Sequence, residues 1–123
     1  MPNRPAAPES FLPLKPRDYE ILFVLARGEL HGYGLVKKIE ARTGGLLSLE
    51  PASLYRRIRK LSADGLVAEA EERPSADADD ERRRYYRITE QGRAVLAADA
   101  QRMRSLVDEA EAARLLPLPD RTR

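Results

Sequence analysis

Apolar residues recur at helical spacing along the first half of the chain. Every position in residues 21–26 is apolar, between Pro16, which suits a first helical turn, and Gly28, which suits a helix end. This pattern predicts a central helix that is contacted on several sides. An amphipathic stretch over residues 32–45, which closes on two glycines, predicts a second helix.

A third helix is predicted between Pro51 and Gly65. Leu54, Ile58 and Leu61 fall within about 60° of one another at about 100° per residue, so they define one buried stripe. The opposite face carries Ala52, Ser53, Arg56, Arg59 and Lys60. No carboxylate lies between positions 51 and 63, whereas a face that only solubilises a helix usually mixes both signs of charge.

The second half of the chain predicts two strands and a long helix. Alternating and tyrosine-rich patterns predict strands over residues 66–73 and 83–89, joined by a polar loop, and Thr89 can cap the helix that follows. The order of elements predicts an α+β fold, mainly α with a small β-hairpin, of the winged helix–turn–helix type with a C-terminal dimerisation helix. The predicted segments are a flexible proline-rich arm (1–14), the winged helix–turn–helix domain (15–89), the dimerisation helix (90–114) and a flexible tail (115–123).

Composition excludes several classes of function. The 123 residues include one histidine, His31, and no cysteine. The absence of cysteine excludes disulfide scaffolds, thiolate metal sites and cysteine catalysis. No Gly-rich phosphate loop, nucleophile motif or metal-ligand spacing is present, so neither an enzyme nor a cofactor is expected. No apolar run approaches the roughly 20 residues of a membrane span, and no secretory signal precedes the body. We therefore expect a cytoplasmic protein without a membrane partner, associated with the nucleoid when it binds DNA.

The charge distribution favours an anionic partner. The net charge is only +2, but residues 15–60 carry ten Lys or Arg against five Asp or Glu. In a winged helix–turn–helix fold the third helix enters the DNA major groove and the wing follows the backbone. We expect Arg56 to recognise a base and Lys60 to bind a phosphate. The candidate residues for binding double-stranded DNA are Ser53, Arg56, Arg59, Lys60, Lys38, Arg82, Arg83 and Arg84.

The long C-terminal helix carries an apolar stripe that is longer than a small body needs for its own core. This excess predicts a homodimer. The candidate interface residues are Leu96, Met103, Leu106, Val107 and Ala110.

Three motifs in the expected order carry a family resemblance over roughly residues 14–110. LHGYGLVKKIE, PASLYRRIRKLSADGLV and RRRYYRITEQGRAVL together resemble the PadR-like transcriptional regulators, in their shorter branch with one C-terminal helix. The resemblance implies a bacterial repressor that dimerises through that helix and is released from its operator by a small-molecule effector. It also implies a position at the DNA edge for Tyr55, whose angle on the helix is equally compatible with half-burial.

The segment between the two predicted strands departs from the family pattern. Asp77, Asp79, Asp80 and Glu81 would be repelled by phosphates, so we expect Arg82 to Arg84 rather than the acidic tip to contact DNA. Two other functions remain open: a winged-helix protein-interaction module that binds no DNA, and a MarR-like regulator. The MarR-like architecture usually has an extra N-terminal helix, which the proline-rich residues 1–14 cannot supply.

Overall fold

The helices begin at residues whose chemistry starts a helix. The structure, a computed structural model, describes residues 6–70 and 84–117. Proline occupies the first turn of α1 and of α3, and the His31 and Thr89 side chains accept hydrogen bonds from the Gly34 and Gly92 N–H groups, each at 3.0 Å. The helices are α1 (Pro16–Ala26), α2 (Gly32–Arg42), α3 (Pro51–Ala63) and α4 (Glu90–Ala112). Within these ranges, no helix is both long and apolar enough to cross a membrane.

The sheet has three strands among the described residues, where the sequence predicts a two-stranded hairpin. The strands are β1 (Leu30–His31), β2 (Val67–Glu69) and β3 (Tyr85–Ile88), in the antiparallel order β1-β3-β2. Leu30 lies opposite Tyr86, and Val67 lies opposite Ile88. A strand of two residues has no periodicity to detect, which explains why β1 is absent from the sequence prediction. Residues 71–83, with the acidic run and Arg82 and Arg83, lie outside the described residues.

One hydrophobic core joins α1, α2, α3, the sheet and the first half of α4. The stripe predicted on the third helix, Leu54, Ile58 and Leu61, is at most 2% exposed. Just after α3, Gly65 takes a φ of +80°, a left-handed conformation that allows the chain to turn into β2. The core therefore holds α3 by one face and leaves the other face outside.

Residues 6–14 pack against the body in the structure, whereas the sequence predicts a flexible arm over residues 1–14. Pro8–Phe11 form a short 3-10 helix against α4, and the Gln91 side-chain amide donates a hydrogen bond to the Ala6 carbonyl. Phe11, Leu12 and Leu14 are partly buried on the core. The prolines prevent an α-helix, but burial of these three apolar side chains still contributes a favourable free energy.

The two halves of α4 have different surroundings. Its first half contributes the buried residues Gly92, Val95, Leu96 and Asp99. Its second half runs beyond the core, and the helix ends at Ala112. Leu115 and Leu116, in the first part of the predicted tail, are exposed.

Candidate nucleic-acid interface

The outward face of α3 is polar and basic. Arg56, Arg59 and Lys60 are exposed, and Ser53 is half-buried. The Arg56 Nη2 donates to Ser53 Oγ over 3.2 Å, and Lys60 Nζ pairs with Asp64 at 2.8 Å. Exposed contacts of this kind contribute little stability, so both cations remain free to exchange these partners for a phosphate or a base. The geometry therefore brings the four predicted residues of α3 together on one surface.

Arg57 belongs to the same basic run but faces another way. Its Nε and Nη2 donate to the Asp18 Oδ1 and Oδ2 of α1, at 2.8 and 2.6 Å. The hydrogen bonds from Arg57 to Asp18 raise the pKa of this arginine, against the opposing effect of its burial. Arg57 is thus held by α1 rather than presented with Arg56.

Tyr55 lies on the other flank of α3 and is half-buried. A Cβ added to Gly32 of α2 would lie 2.8 Å from the Tyr55 Cζ, so the ring packs directly on the Gly32 backbone. Only a glycine admits this approach. The structure therefore supports the half-buried alternative for this tyrosine.

The remaining predicted DNA contacts are dispersed. Lys38 lies with Arg27 and Arg42 on the wall of an open pocket between α1 and α2, and no residue of α3 lines this pocket. Arg84, just before β3, pairs with Glu69 of β2 at 3.2 Å, and both side chains are more than half exposed. The structure thus groups the α3 residues and leaves Lys38 and Arg84 on other surfaces.

Sequence reasoning missed the partnership between Asp18 and Arg57. By its position alone, Asp18 is a residue favourable to the helix dipole at the start of α1, and it does lie in the first turn of that helix. It is also one of two buried charged or polar residues among those described. The two partners are 39 positions apart. The one signal in the sequence is that Arg57 lies on the flank, rather than the centre, of the polar face.

The predicted dimer stripe on α4 divides into a buried and an exposed part. Leu106 is 50% exposed and Val107 46%, while Met103 and Ala110 are half-buried. Leu96 is only 9% exposed, because it packs on the core of its own chain. Leu96 therefore has little exposed surface for contact with a second copy, and its place in the interface stays a prediction.

A family model decides the affiliation of the chain. The model of the transcriptional regulator PadR-like family matches residues 21–98, which is more than half of the sequence and runs from α1 into α4. The chain belongs to the PadR-like family of transcriptional regulators. The four α-helices and the small antiparallel sheet of the described residues form the DNA-binding winged-helix fold of that family. No curated protein matches the sequence.

Solved structures agree with the PadR-like affiliation. A PadR family transcription regulator from Clostridium difficile R20291 is similar with a TM-score of 0.66 and 19% identity, over 80% of this chain and 97% of that one. A transcriptional regulator from Clostridium thermocellum is similar with a TM-score of 0.63 and 24% identity, over 78% of this chain and 87% of that one. The structure of Bacillus subtilis PadR in complex with operator DNA is similar with a TM-score of 0.57 and 22% identity, over 90% of this chain and 54% of that one. At these identities the likeness establishes a common fold.

Proposed function

We propose that this PadR-like chain is a repressor that binds an inverted-repeat operator as a homodimer and is released by a small-molecule effector. The outward face of α3 carries this proposal. Arg56, Arg59 and Lys60 are exposed on a helix whose other face is fixed in the core, and no carboxylate interrupts residues 51–63. A helix of this kind fits the major groove, and its positive side chains are attracted to the negative phosphates.

The side chains of α3 have different proposed roles. Arg56 lies opposite the buried stripe, at the centre of the exposed face, so it reaches deepest into a groove and bonds a guanine through its two parallel N–H groups. Arg59, Lys60 and Ser53 flank it and bind phosphates. On binding DNA, Arg56 exchanges its contact with Ser53 Oγ for a base edge.

The exposed half of α4 is the proposed dimer seam. Leu106 and Val107 present apolar surface, with Met103 and Ala110 beside them at helical spacing. A two-fold axis along this seam would bring two copies of α3 to one side of the dimer. Their separation would be about 34–36 Å, which is one turn of the DNA helix, so that they could enter successive major grooves. The operator is then an inverted repeat, and its occupancy blocks other proteins from the same stretch of DNA.

A pocket next to α2 supports the effector part of the proposal. It has a volume of about 560 Å³, between the end of α1 and α2, and Leu30 of β1 is part of its lining. Pockets of roughly 300–1,000 Å³ accommodate small organic ligands. A ligand there would contact α2 and β1, and β1 is paired with β3, so it could change DNA affinity without covering α3.

Paired substitutions on α3 test the DNA-binding proposal. For each half-site, Arg56→Ala should weaken binding to a duplex selected from a random library by the wild-type protein by about 5- to 150-fold, since a bidentate base contact contributes about 1–3 kcal/mol of discrimination. Lys60→Ala should weaken the selected and a scrambled duplex by the same factor. Arg104→Ala, which removes an exposed cation of α4, is the matched control and should change neither.

Fluorescence anisotropy at several salt concentrations measures all three variants. An equal loss on both duplexes for Arg56→Ala would contradict its role in base recognition. A wild-type protein that binds no duplex at low salt would contradict DNA binding altogether, and would favour the protein-interaction module.

A further inference from the structure

The two flanks of α3 are each attached to a different helix. At about 100° per residue, Tyr55 and Arg57 lie on opposite sides of the buried stripe, and Arg56 lies between them on the outside. Tyr55 packs on the Gly32 backbone of α2. Arg57 is bonded to Asp18 of α1. The residue that points outward is thus the middle one of three consecutive residues whose outer members are both fixed.

The contact between Arg57 and Asp18 is directional. Two parallel hydrogen bonds, of 2.8 and 2.6 Å, join the guanidinium to both carboxylate oxygens. The Asp18 side chain is 8% exposed and that of Arg57 24%. A planar guanidinium meets a carboxylate in this way only within a narrow range of positions, and the low exposure of Asp18 limits competition from water.

The apolar anchors of α3 do not define its rotation as sharply. Contacts of Leu54, Ile58 and Leu61 with the core resist a roll of the helix through close packing, but they lack the angular preference of a bidentate hydrogen-bonded pair. A roll of about 20° displaces an atom about 6 Å from the axis by about 2 Å. A displacement of that size breaks a bidentate contact with a base, but a charged side chain can still follow a phosphate.

We propose that Arg57 is a positioning residue and not a DNA contact: with Asp18 it fixes the roll of α3, and this roll determines how well the protein distinguishes its operator from other DNA. The proposal rests on the proposed function. Arg57 holds Arg56 in register with the base edges, while Arg59 and Lys60 supply affinity for any duplex. Removal of the pair therefore lowers discrimination and leaves non-specific affinity in place.

The competing explanation is that Arg57 binds a phosphate, like the other cations of a basic helix. The two explanations differ in the salt dependence of binding. Removing one phosphate-binding cation from each subunit makes the slope of log affinity against log salt less steep by roughly 1.8 for a dimer. Removing a positioning residue that does not touch DNA leaves the slope unchanged, because the number of neutralised phosphates is the same.

The experiment compares Arg57→Gln, Asp18→Asn and the double variant with wild type, on the selected and the scrambled duplex. The double variant keeps a neutral hydrogen-bonding pair at the buried position, so it avoids an unpaired carboxylate if Arg57→Gln folds poorly. Urea unfolding establishes that each protein is folded under the binding conditions. Arg59→Gln, an exposed cation on the same helix, is the matched control.

We expect all three variants to lose about tenfold or more in affinity for the selected duplex, with scrambled-duplex affinity and salt slope as in wild type. Arg59→Gln should weaken both duplexes and flatten the slope. Arg57→Lys, which keeps the charge but not the fork, should lose discrimination as Arg57→Gln does.

Two results overturn the inference in distinguishable ways. If Arg57→Gln weakens the scrambled duplex and flattens the slope as Arg59→Gln does, or if every variant discriminates as wild type does, the positioning role is wrong and the proposed function stands. If wild-type protein binds neither duplex at low salt, the proposed function fails and the inference fails with it.

Discussion

The two halves of α4 have similar helical patterns but different environments. In the first half, Val95 is fully buried and Leu96 nearly so, under α1, the sheet and the N-terminal 3-10 helix. In the second half, Leu106 and Val107 are about half exposed, although their spacing is equally regular. Periodicity thus defines an apolar stripe but not what covers it, and among residues 6–70 and 84–117 the chain covers only the first half.

Substitutions in the two halves of α4 should therefore have different consequences. A change in the first half disturbs the folded chain itself, because Gly92 and Leu96 contact the sheet and the core. A change in the second half should leave the fold intact and alter association. Comparing the two halves therefore separates folding from dimerisation, which the sequence pattern alone cannot do.

The largest effect is expected from a charge on the exposed half. Leu106→Asp would bury a carboxylate in the proposed dimer seam and should produce a folded monomer. Operator affinity should fall by about 100-fold or more, because two linked recognition helices bind far more tightly than one. Ser105→Asp, which adds the same charge to the neighbouring exposed position, should remain dimeric. Sedimentation velocity measures both variants, and a dimeric Leu106→Asp that still binds the operator would place the interface elsewhere.

A smaller effect, on folding, is expected from the covered half. Gly92→Ala would place a methyl group on the Leu66 carbonyl oxygen and 2.7 Å from Ile88 Cγ1, so α4 must shift away from the sheet. We expect a loss of about 2–4 kcal/mol in the free energy of unfolding, as measured in urea. Gly34→Ala is the control, since its new methyl would approach the flexible Leu30 side chain at 3.2 Å. Equal stability of the two variants would contradict the close packing of α4 on the sheet.

The smallest effect is expected at the start of α4. Thr89 Oγ1 accepts from the Gly92 N–H at 3.0 Å and donates to the Gly65 carbonyl at 2.6 Å. Thr89→Ala removes both bonds and should lower the free energy of unfolding by about 1 kcal/mol, whereas Thr89→Ser keeps the hydroxyl and most of the stability. If serine fails to restore stability, the methyl group rather than the cap is what matters there.

Local features of the fold were predictable from sequence, and contacts between distant residues were not. The stripe Leu54, Ile58 and Leu61 identified both the buried and the exposed face of α3, because helical geometry alone relates them. The pairing of Leu30 with Tyr86 and the bond between Asp18 and Arg57 depend on how the chain folds back on itself. No local pattern contains that information.

The N-terminal stretch and Leu96 illustrate the same limit. Proline content correctly excluded an α-helix over residues 6–14, but burial of Phe11, Leu12 and Leu14 depends on the surface that α4 and the core provide. Likewise, its spacing places Leu96 on the apolar stripe of α4, but only the folded structure shows that Leu96 packs in the core of its own chain.

The salt dependence of DNA binding shows directly whether the cations of α3 neutralise phosphates. If each subunit applies three to five cations from α3 and its surroundings, a dimer neutralises about 6–10 phosphates, and log affinity falls against log salt with a slope of roughly −5 to −9. Fluorescence anisotropy with a selected duplex, from low to moderate salt, gives this slope in one series. We expect a value in that range for wild type; a slope near zero, or no binding at low salt, would contradict DNA binding through α3.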